Sequence, residues 1–417
     1  MRRVLLAVCG LVLVAACGRA PGAPLASGDY KLYEAVSDRS QIAVIDSRSH
    51  TIERWLQLGT PSSDWKHLYS VSSSTLTDTD PQTGSSVRSL KLPGYYQLPP
   101  STLSGVPGGL SQNGRWIVVE SFDANPNDVT PTASHFAVVN TSLQSAPVRI
   151  DLKGYFTFDA VSNDGGYLYL IEYVSTSDYR VRIYEVGAQE LNPQVVVDKT
   201  NPQDSMTGLR LSGIPSQDGA WLYSMYIRQT DRPFIHALNL QGAPVALCID
   251  LPGSGYESSD SGFHWSIAMS ADGSHLYAAN AALGVVSEVN TGADTSLGLA
   301  RSVQIDSGQT VAGIFAQDVQ AKEFGANAAV ISPDGKTLVT AASSGIDWID
   351  TQGLQVRARA LANWTVWSLA LSPDGKVLYA LSDSGKIAQV SMDSRQVDAT
   401  FDPSAGNPMA LMRVVSA

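Results

Sequence analysis

Two copies of one phrase, SPDGKTLVTAA at 332–342 and SPDGKVLYALS at 372–382, decide how this chain folds. Six looser copies lie upstream: SGDYKLYEAVS (27–37), SSDWKHLYSVS (62–72), SQNGRWIVVES (111–121), SNDGGYLYLIE (162–172), SQDGAWLYSMY (216–226) and SADGSHLYAAN (270–280). Ser opens all eight, and Asp or Asn is third in all eight. Gly is fourth in six, with Tyr30 and Trp65 in its place in the first two. Ser and Asp or Asn side chains accept hydrogen bonds from nearby backbone amides and so favour turn entry. Gly takes a positive φ without steric cost. Apolar, β-branched and aromatic residues follow, as in Tyr167-Leu168-Tyr169-Leu170-Ile171, and suit a half-buried strand. The phrase is a hairpin turn followed by a strand.

A strand also precedes most copies, for example Trp265-Ser266-Ile267-Ala268-Met269. Two more follow, for example Gly345-Ile346-Asp347-Trp348-Ile349 and Gln355-Val356-Arg357-Ala358-Arg359. The unit is thus four antiparallel strands, and helical periodicity is nearly absent. Such a unit cannot bury both faces alone, whereas twisted units stacked radially can. The expected fold is all-β, a single β-propeller of four-stranded antiparallel blades. The repeat count gives eight blades, with seven as the alternative. The phrase starts are 35, 49, 51, 54, 54, 62 and 40 residues apart. The short first spacing leaves only Gly59-Thr60-Pro61 before Ser62, so the second unit is expected to lack an inner strand. The final run, Met409 to Ser416, reads as an inner strand stopping at the Ser of the phrase, where the body begins at Ser27. The C-terminal strand is therefore expected to pair with the N-terminal blade and close a ring.

With SPDGKTLVTAA, SPDGKVLYALS and Leu276-Tyr277-Ala278-Ala279-Asn280 in hand, residues 27–417 resemble the YVTN-type, lactonase-like β-propeller repeat family. The resemblance implies the propeller fold. It implies no single activity, because the repeat recurs in lactonases, electron-transfer enzymes and surface proteins, and it carries no catalytic motif onto these residues. The WD40 type is a poorer match, since no Trp-Asp dipeptide follows a third strand.

The N-terminus reads as an address. Met1-Arg2-Arg3 is positive, and Val4 to Val14 is apolar but too short to span a bilayer. It ends in Val14-Ala15-Ala16-Cys17, which resembles a bacterial lipobox. The expected organisation is a lipoprotein signal peptide at 1–16, a lipidated Cys17 and flexible tether at 17–28, and the propeller at 29–417. Several acyl chains at Cys17 give the stable anchoring that one chain cannot. The protein is expected on the extracytoplasmic face of the cell envelope, held to the membrane at Cys17.

Composition excludes several functions. Lys and Arg total 28 against 39 Asp and Glu, a net charge of −11. A chain this acidic lacks the basic footprint that nucleic acid demands. Cys248 alone remains after the signal and Cys17, which excludes intrachain disulfides and zinc clusters of cysteine, and it reads as a small buried hydrophobe. None of the six histidines, His50, His67, His135, His236, His264 and His275, has zinc-protease spacing. No haem-attachment motif and no nucleophile elbow is present. No metal and no cofactor is expected.

Propellers bind ligands where loops converge at one end of the channel. By phase, the residues entering inner strands there are Tyr155, Arg210, His264, Trp364 and Asn407, the candidate ligand-binding set. Two insertions stand out, a polar loop at 122–135 and a longer one at 307–327 that reads as a lid or partner surface. The expected function is a binding or scaffold module for a protein, peptide or glycan. The alternative is a lactonase-like hydrolase or a cofactor-dependent oxidoreductase with its site at the channel mouth.

Overall fold

The computed structural model describes residues 28–125, 128–175, 178–199, 206–292, 296–306, 327–342 and 344–417. The signal, Cys17, the tether to residue 27 and all of the 307–327 insertion except its last residue lie outside the described residues. Among the described residues, no helix is long and apolar enough to cross a membrane.

The architecture is all-β, built of sheets that are mostly four-stranded and antiparallel. Tyr30–Val36, Gln41–Asp46 and Ile52–Gln57 form one sheet together with Pro408–Ser416 from the far end of the chain. Further sheets follow within 60–91, 116–153, 155–250, 266–304, 329–360 and 366–401. The 155–250 sheet is two antiparallel halves, 155–198 and 209–250. A short parallel contact joins them, Val197 with Val245 and Asp198 with Ala246. The C-terminal strand lies antiparallel to the first, from Tyr30 opposite Ser416 to Val36 opposite Pro408.

The phrase forms its turn as its chemistry dictates. In the seven copies whose Ser is described, the Ser hydroxyl donates to the Asp or Asn carbonyl-type oxygen two residues on, at 2.6–2.9 Å. The same hydroxyl accepts from the backbone amide five residues on, at 2.9–3.1 Å. The fourth residue sits at φ +68 to +71° where it is Gly. Trp65 takes that left-handed conformation without being Gly (φ +57°). Its indole is buried, with its ring edge-on to Tyr33 at 4.9 Å, so packing offsets the backbone strain. Neighbouring turns are also tied together. Asn113 donates to the Asn163 carbonyl (2.8 Å), and Asn163 donates to the Asp218 carbonyl (2.8 Å). The Tyr30 hydroxyl reaches Asp374 at 3.0 Å, linking the first sheet to the last.

Each sheet buries both faces against its sequence neighbours. Ile42 and Val44 meet Leu68, and Tyr69 and Leu76 meet Ile117 and Val119. Val118 and Phe136 meet Phe158 and Leu170, and Ile183 meets Leu238. Met225 meets Ile267, Val286 meets Leu338, and Trp348 meets Leu378. Tyr379 and Ile387 of the last sheet share a cluster with Leu32, Ile45 and Leu411 of the first.

The structure moves one expected defect. The sheet at 60–91 does have an inner strand, the two-residue stub Thr60–Pro61 paired with Leu68 and Tyr69. The incomplete sheet is the next one, at 116–153, which has three strands. Its inner edge is covered only by bridges from Gln97 to Glu120 and from Leu110 to Ile117. Between them the chain leaves the edge at 98–109 as a small loop, with Pro100 bridged to Pro107. Gly109 is required there: its φ is +96°, and a Cβ would come within 2.5 Å of the Val118 carbonyl oxygen. The loop reaches across to other sheets. Leu103 N donates to Leu211 O (3.0 Å), and the Thr60 hydroxyl donates to Gly108 O (2.6 Å). Two prolines before the loop apex and two glycines after it explain why no strand continues here.

Candidate functional site

Three consecutive sheet units place aromatic residues at matching points. Phe122, Tyr173 and Tyr226 lie at or next to the end of a second strand, and Tyr179 and Phe234 open third strands. Tyr155 opens an inner strand. Register then brings rings together: Tyr155 is opposite Tyr173, Tyr173 opposite Tyr179, and Tyr226 opposite Phe234. The result is a continuous ladder. Phe122 meets Tyr155 edge-on at 5.7 Å, and Tyr155 stacks on Tyr173 at 4.7 Å. Tyr179 lies 6.0 Å from Tyr173 and 6.5 Å from Tyr226, which stacks on Phe234 at 5.2 Å. The Arg228 guanidinium caps the far end, 4.1 Å from the Phe234 ring centre.

This ladder walls a cleft of about 810 Å³. The loop residues Pro100, Thr102 and Leu103 form its other side, with Thr207–Arg210 and Arg228–Asp231 at its edge. It adjoins a smaller cavity of about 440 Å³ lined by inner-edge residues of several sheets, among them Thr60, Val161, Gly213, Ser368 and Leu411. Pro100, Thr102, Phe158 and Arg210 line both, so the 98–109 loop separates the cleft from the convergence of the inner strands.

Polar side chains share the lining with these rings, Gln229, Thr230 and Asp231 exposed at the edge and Glu120 buried. Arg210 pairs with Asp159 at 2.5 Å, with side chains 16% and 1% exposed, and also donates to Pro100 O (3.3 Å). Asp159 Oδ2, Tyr179 OH and Tyr226 OH are buried without a protein partner. Glu120 is buried, and one carboxyl oxygen accepts from Phe158 N at 3.1 Å. Burial pushes this carboxyl up to about 7, against hydrogen bonds and the nearby Arg210 charge that pull it down. A buried carboxyl titrating near neutrality beside aromatic faces can bind a polar ring or exchange a proton.

Of the five residues picked by phase, the structure brings Tyr155 and Arg210 together in this cleft. The other three lie elsewhere. His264 is exposed at the end of the short turn Asp260–Phe263. Trp364 packs beside Val339, Trp348 and Leu378 between two sheets. Asn407 is exposed, its amide donating to Asp38 and its carbonyl accepting from Ser37 N at 2.9 Å. The polar loop is shorter than 122–135, since strands run to Asp123 and restart at Ala133. Sequence reasoning missed Glu120, Asp159, Tyr173, Tyr179 and Tyr226. A signal existed: only in the copies starting at 111, 162 and 216 does the phrase end in, or run directly into, an aromatic residue.

Glu34, on the first strand, is a second buried carboxyl. It is 0% exposed, both oxygens lack a partner, and burial together with the Asp402 charge pushes it up to about 8. Both shifts are upward, so the folded protein holds protons that the unfolded chain has lost. The stability they contribute is complete below the unfolded carboxyl value of about 4.3, declines with rising pH, and is gone above about 8. The turn carboxyls Asp164, Asp218, Asp334 and Asp374 are held low, first by their Ser hydroxyls, and act only in more acid solution. We expect the urea midpoint to fall from pH 5 to pH 8, and the double variant Glu34→Gln, Glu120→Gln to flatten that slope. A wild-type midpoint that rises over this range contradicts the burial of these two groups.

No protein-family model matches the chain, and no curated protein matches it. Among solved structures, apo AztD from Citrobacter koseri is similar at 11% identity and a TM-score of 0.55, covering 94% of this chain and 98% of that one. Dihydro-heme d1 dehydrogenase NirN, solved in complex with DHE, is similar at 14% identity and a TM-score of 0.53, covering 94% of this chain and 76% of that one. Identities this low establish the fold alone: the chain is a β-propeller.

Proposed function

We propose that this protein is an extracytoplasmic binding module, tethered through Cys17, whose tyrosine-walled cleft receives a glycan. The lipoprotein signal at 1–16, the tether at 17–28 and the propeller body at 29–417 belong to this reading. So does a closed ring of eight blades, in which residues 92–111 stand in for the missing inner strand of the 116–153 blade. The observation that carries the ligand reading is the ladder of rings beside Arg210, whose partner Asp159 lines the smaller cavity behind. Flat aromatic faces stack on the apolar faces of sugar rings, while buried charged and hydroxyl groups meet the sugar hydroxyls. The net negative charge suits a neutral ring-bearing ligand better than an acidic one.

A second reading, a hydrolase, has Glu120 in its favour, since a carboxyl near neutral pKa is the raw material of a general acid. The two readings part at one variant. In a panel of neutral oligosaccharides read by tyrosine fluorescence, we expect binding without turnover. Tyr155→Ala and Tyr173→Ala should each weaken it about tenfold, the size of one lost stacking contact, and Glu120→Gln should leave the ligand intact and bound. Product formation that Glu120→Gln abolishes would convert the site to an enzyme. Absence of oligosaccharide binding, with peptides bound instead, would replace the ligand class.

The tether is tested separately. Cys17→Ser should move the protein from the membrane fraction to the soluble fraction or leave it as an unprocessed precursor. A variant that is processed and still membrane-bound removes the lipid anchor from the proposal.

A further inference from the structure

Behind the aromatic ladder, three soft side chains meet between the 155–198 and 209–250 halves. His236 and Cys248 are directly opposite on neighbouring strands, and their side chains face the same way. Cys248 Sγ lies 3.6 Å from His236 Nδ1 and 4.0 Å from Met206 Sδ. His236 is 2% exposed, and the ring nitrogen turned toward Cys248 is Nδ1. Among the described residues no three His, Cys, Asp or Glu side chains have metal-holding geometry, so any third ligand has to be the thioether.

We propose that Met206, His236 and Cys248 form a Cu(I) site. A metal about 2.3 Å from sulfur and about 2.0 Å from nitrogen, with ligand angles of about 110–120°, needs S···N edges of about 3.5–3.8 Å and S···S edges of about 3.8–4.0 Å. The two edges of this cluster agree with those values. One thiolate, one thioether and one imidazole form a soft, three-coordinate set, which selects Cu(I) over Zn(II) and over hard divalent ions. A metal takes the imidazole in its neutral form and the sulfur as thiolate, so binding displaces the Cys248 proton. Binding replaces the S–H bond by an S–Cu bond and releases one proton to solvent, and no electron is transferred. Met206 is half-buried and directly precedes Thr207, which lines the cleft.

The test is anaerobic titration of the intact protein with Cu(I) held by bicinchoninate. The expected result is one copper taken per chain, one proton released, and a new ultraviolet thiolate-to-copper band. Cys248→Ser should abolish uptake. Met206→Leu, a change at a half-buried position, should weaken it by more than the roughly 10–100-fold that outer-shell changes cost. Melting of the copper-free variants checks that both fold. Failure of the wild type to take copper from the chelator, or undiminished uptake by Cys248→Ser, overturns the site. Equal retention of Zn(II) at the same stoichiometry overturns its assignment to a soft metal.

Discussion

Removing residues 408–417 should leave a body that no longer melts cooperatively near the wild-type temperature. The lost strand pairs along Tyr30–Val36 and buries Met409, Ala410, Leu411 and Val414. At about 1.5–3 kcal/mol for each of the large apolar side chains Met409, Leu411 and Val414, that is roughly 4.5–9 kcal/mol, against a total stability of about 5–15 kcal/mol. The cut also uncovers an unpaired strand edge and the apolar cluster that Leu411 shares with Leu32, Tyr379 and Ile387. We expect the melting temperature to drop by at least about 10 °C, with rapid proteolysis of the 30–57 segment. Adding a peptide of residues 407–417 should restore part of the loss, because the groove it fills is otherwise formed by Tyr30–Val36 and the last sheet. An unchanged melt would show that the two ends are not what holds the first and last sheets together, and the closed ring would go with it.

That pairing was readable in the sequence because the repeat has a phase. Ser62, Ser111, Ser162 and their described counterparts make the same two hydrogen bonds at each of seven turns, so one local chemistry reports its position in a larger unit each time it occurs. Strand identity followed from it, as did the antiparallel order. What was not legible is where the repeat departs from itself. A two-residue strand, Thr60–Pro61, leaves no periodic signal, so the spacing of the phrases points one unit ahead of the sheet that is actually incomplete. The loop at 98–109 contains Pro99, Pro100, Gly105, Gly108 and Gly109, which announce a turn but not that it crosses to Thr60 and Leu211.

The site was legible only in part, for a related reason. Tyr155 and Arg210 were found because inner-strand entry is a fixed phase. Asp159 was not, since it lies mid-strand at a β-bulge, where pairing skips from Phe158 to Ala160. A bulge re-aims a side chain, and period-two counting cannot foresee it. The rings of Tyr173, Tyr179 and Tyr226 look like ordinary strand residues one at a time. Only their coincidence in three neighbouring copies makes a wall, and that requires knowing that those copies are adjacent in space.

Arg210→Ala should be the most damaging single change in the cleft. Asp159 is 1% exposed, and one of its oxygens has no other partner, so the variant leaves a carboxylate buried with nothing to offset its charge. Breaking a buried pair in this way costs about 3–5 kcal/mol. The pair itself contributes much less than that, because bringing both charges out of water consumes most of their attraction. The two statements give a sharp expectation for a double-mutant cycle in urea. Arg210→Met alone should be severely destabilised, Asp159→Ala alone less so, since Arg210 keeps the Pro100 carbonyl and a route to solvent. The double variant Arg210→Met, Asp159→Ala should recover to within about 1–2 kcal/mol of wild type. Oligosaccharide binding should not recover with it, since the Arg210 guanidinium proposed to meet the ligand is gone. A double variant that regains both stability and binding would mean that the pair only holds the 98–109 loop in place, leaving the tyrosines as the whole of the binding surface.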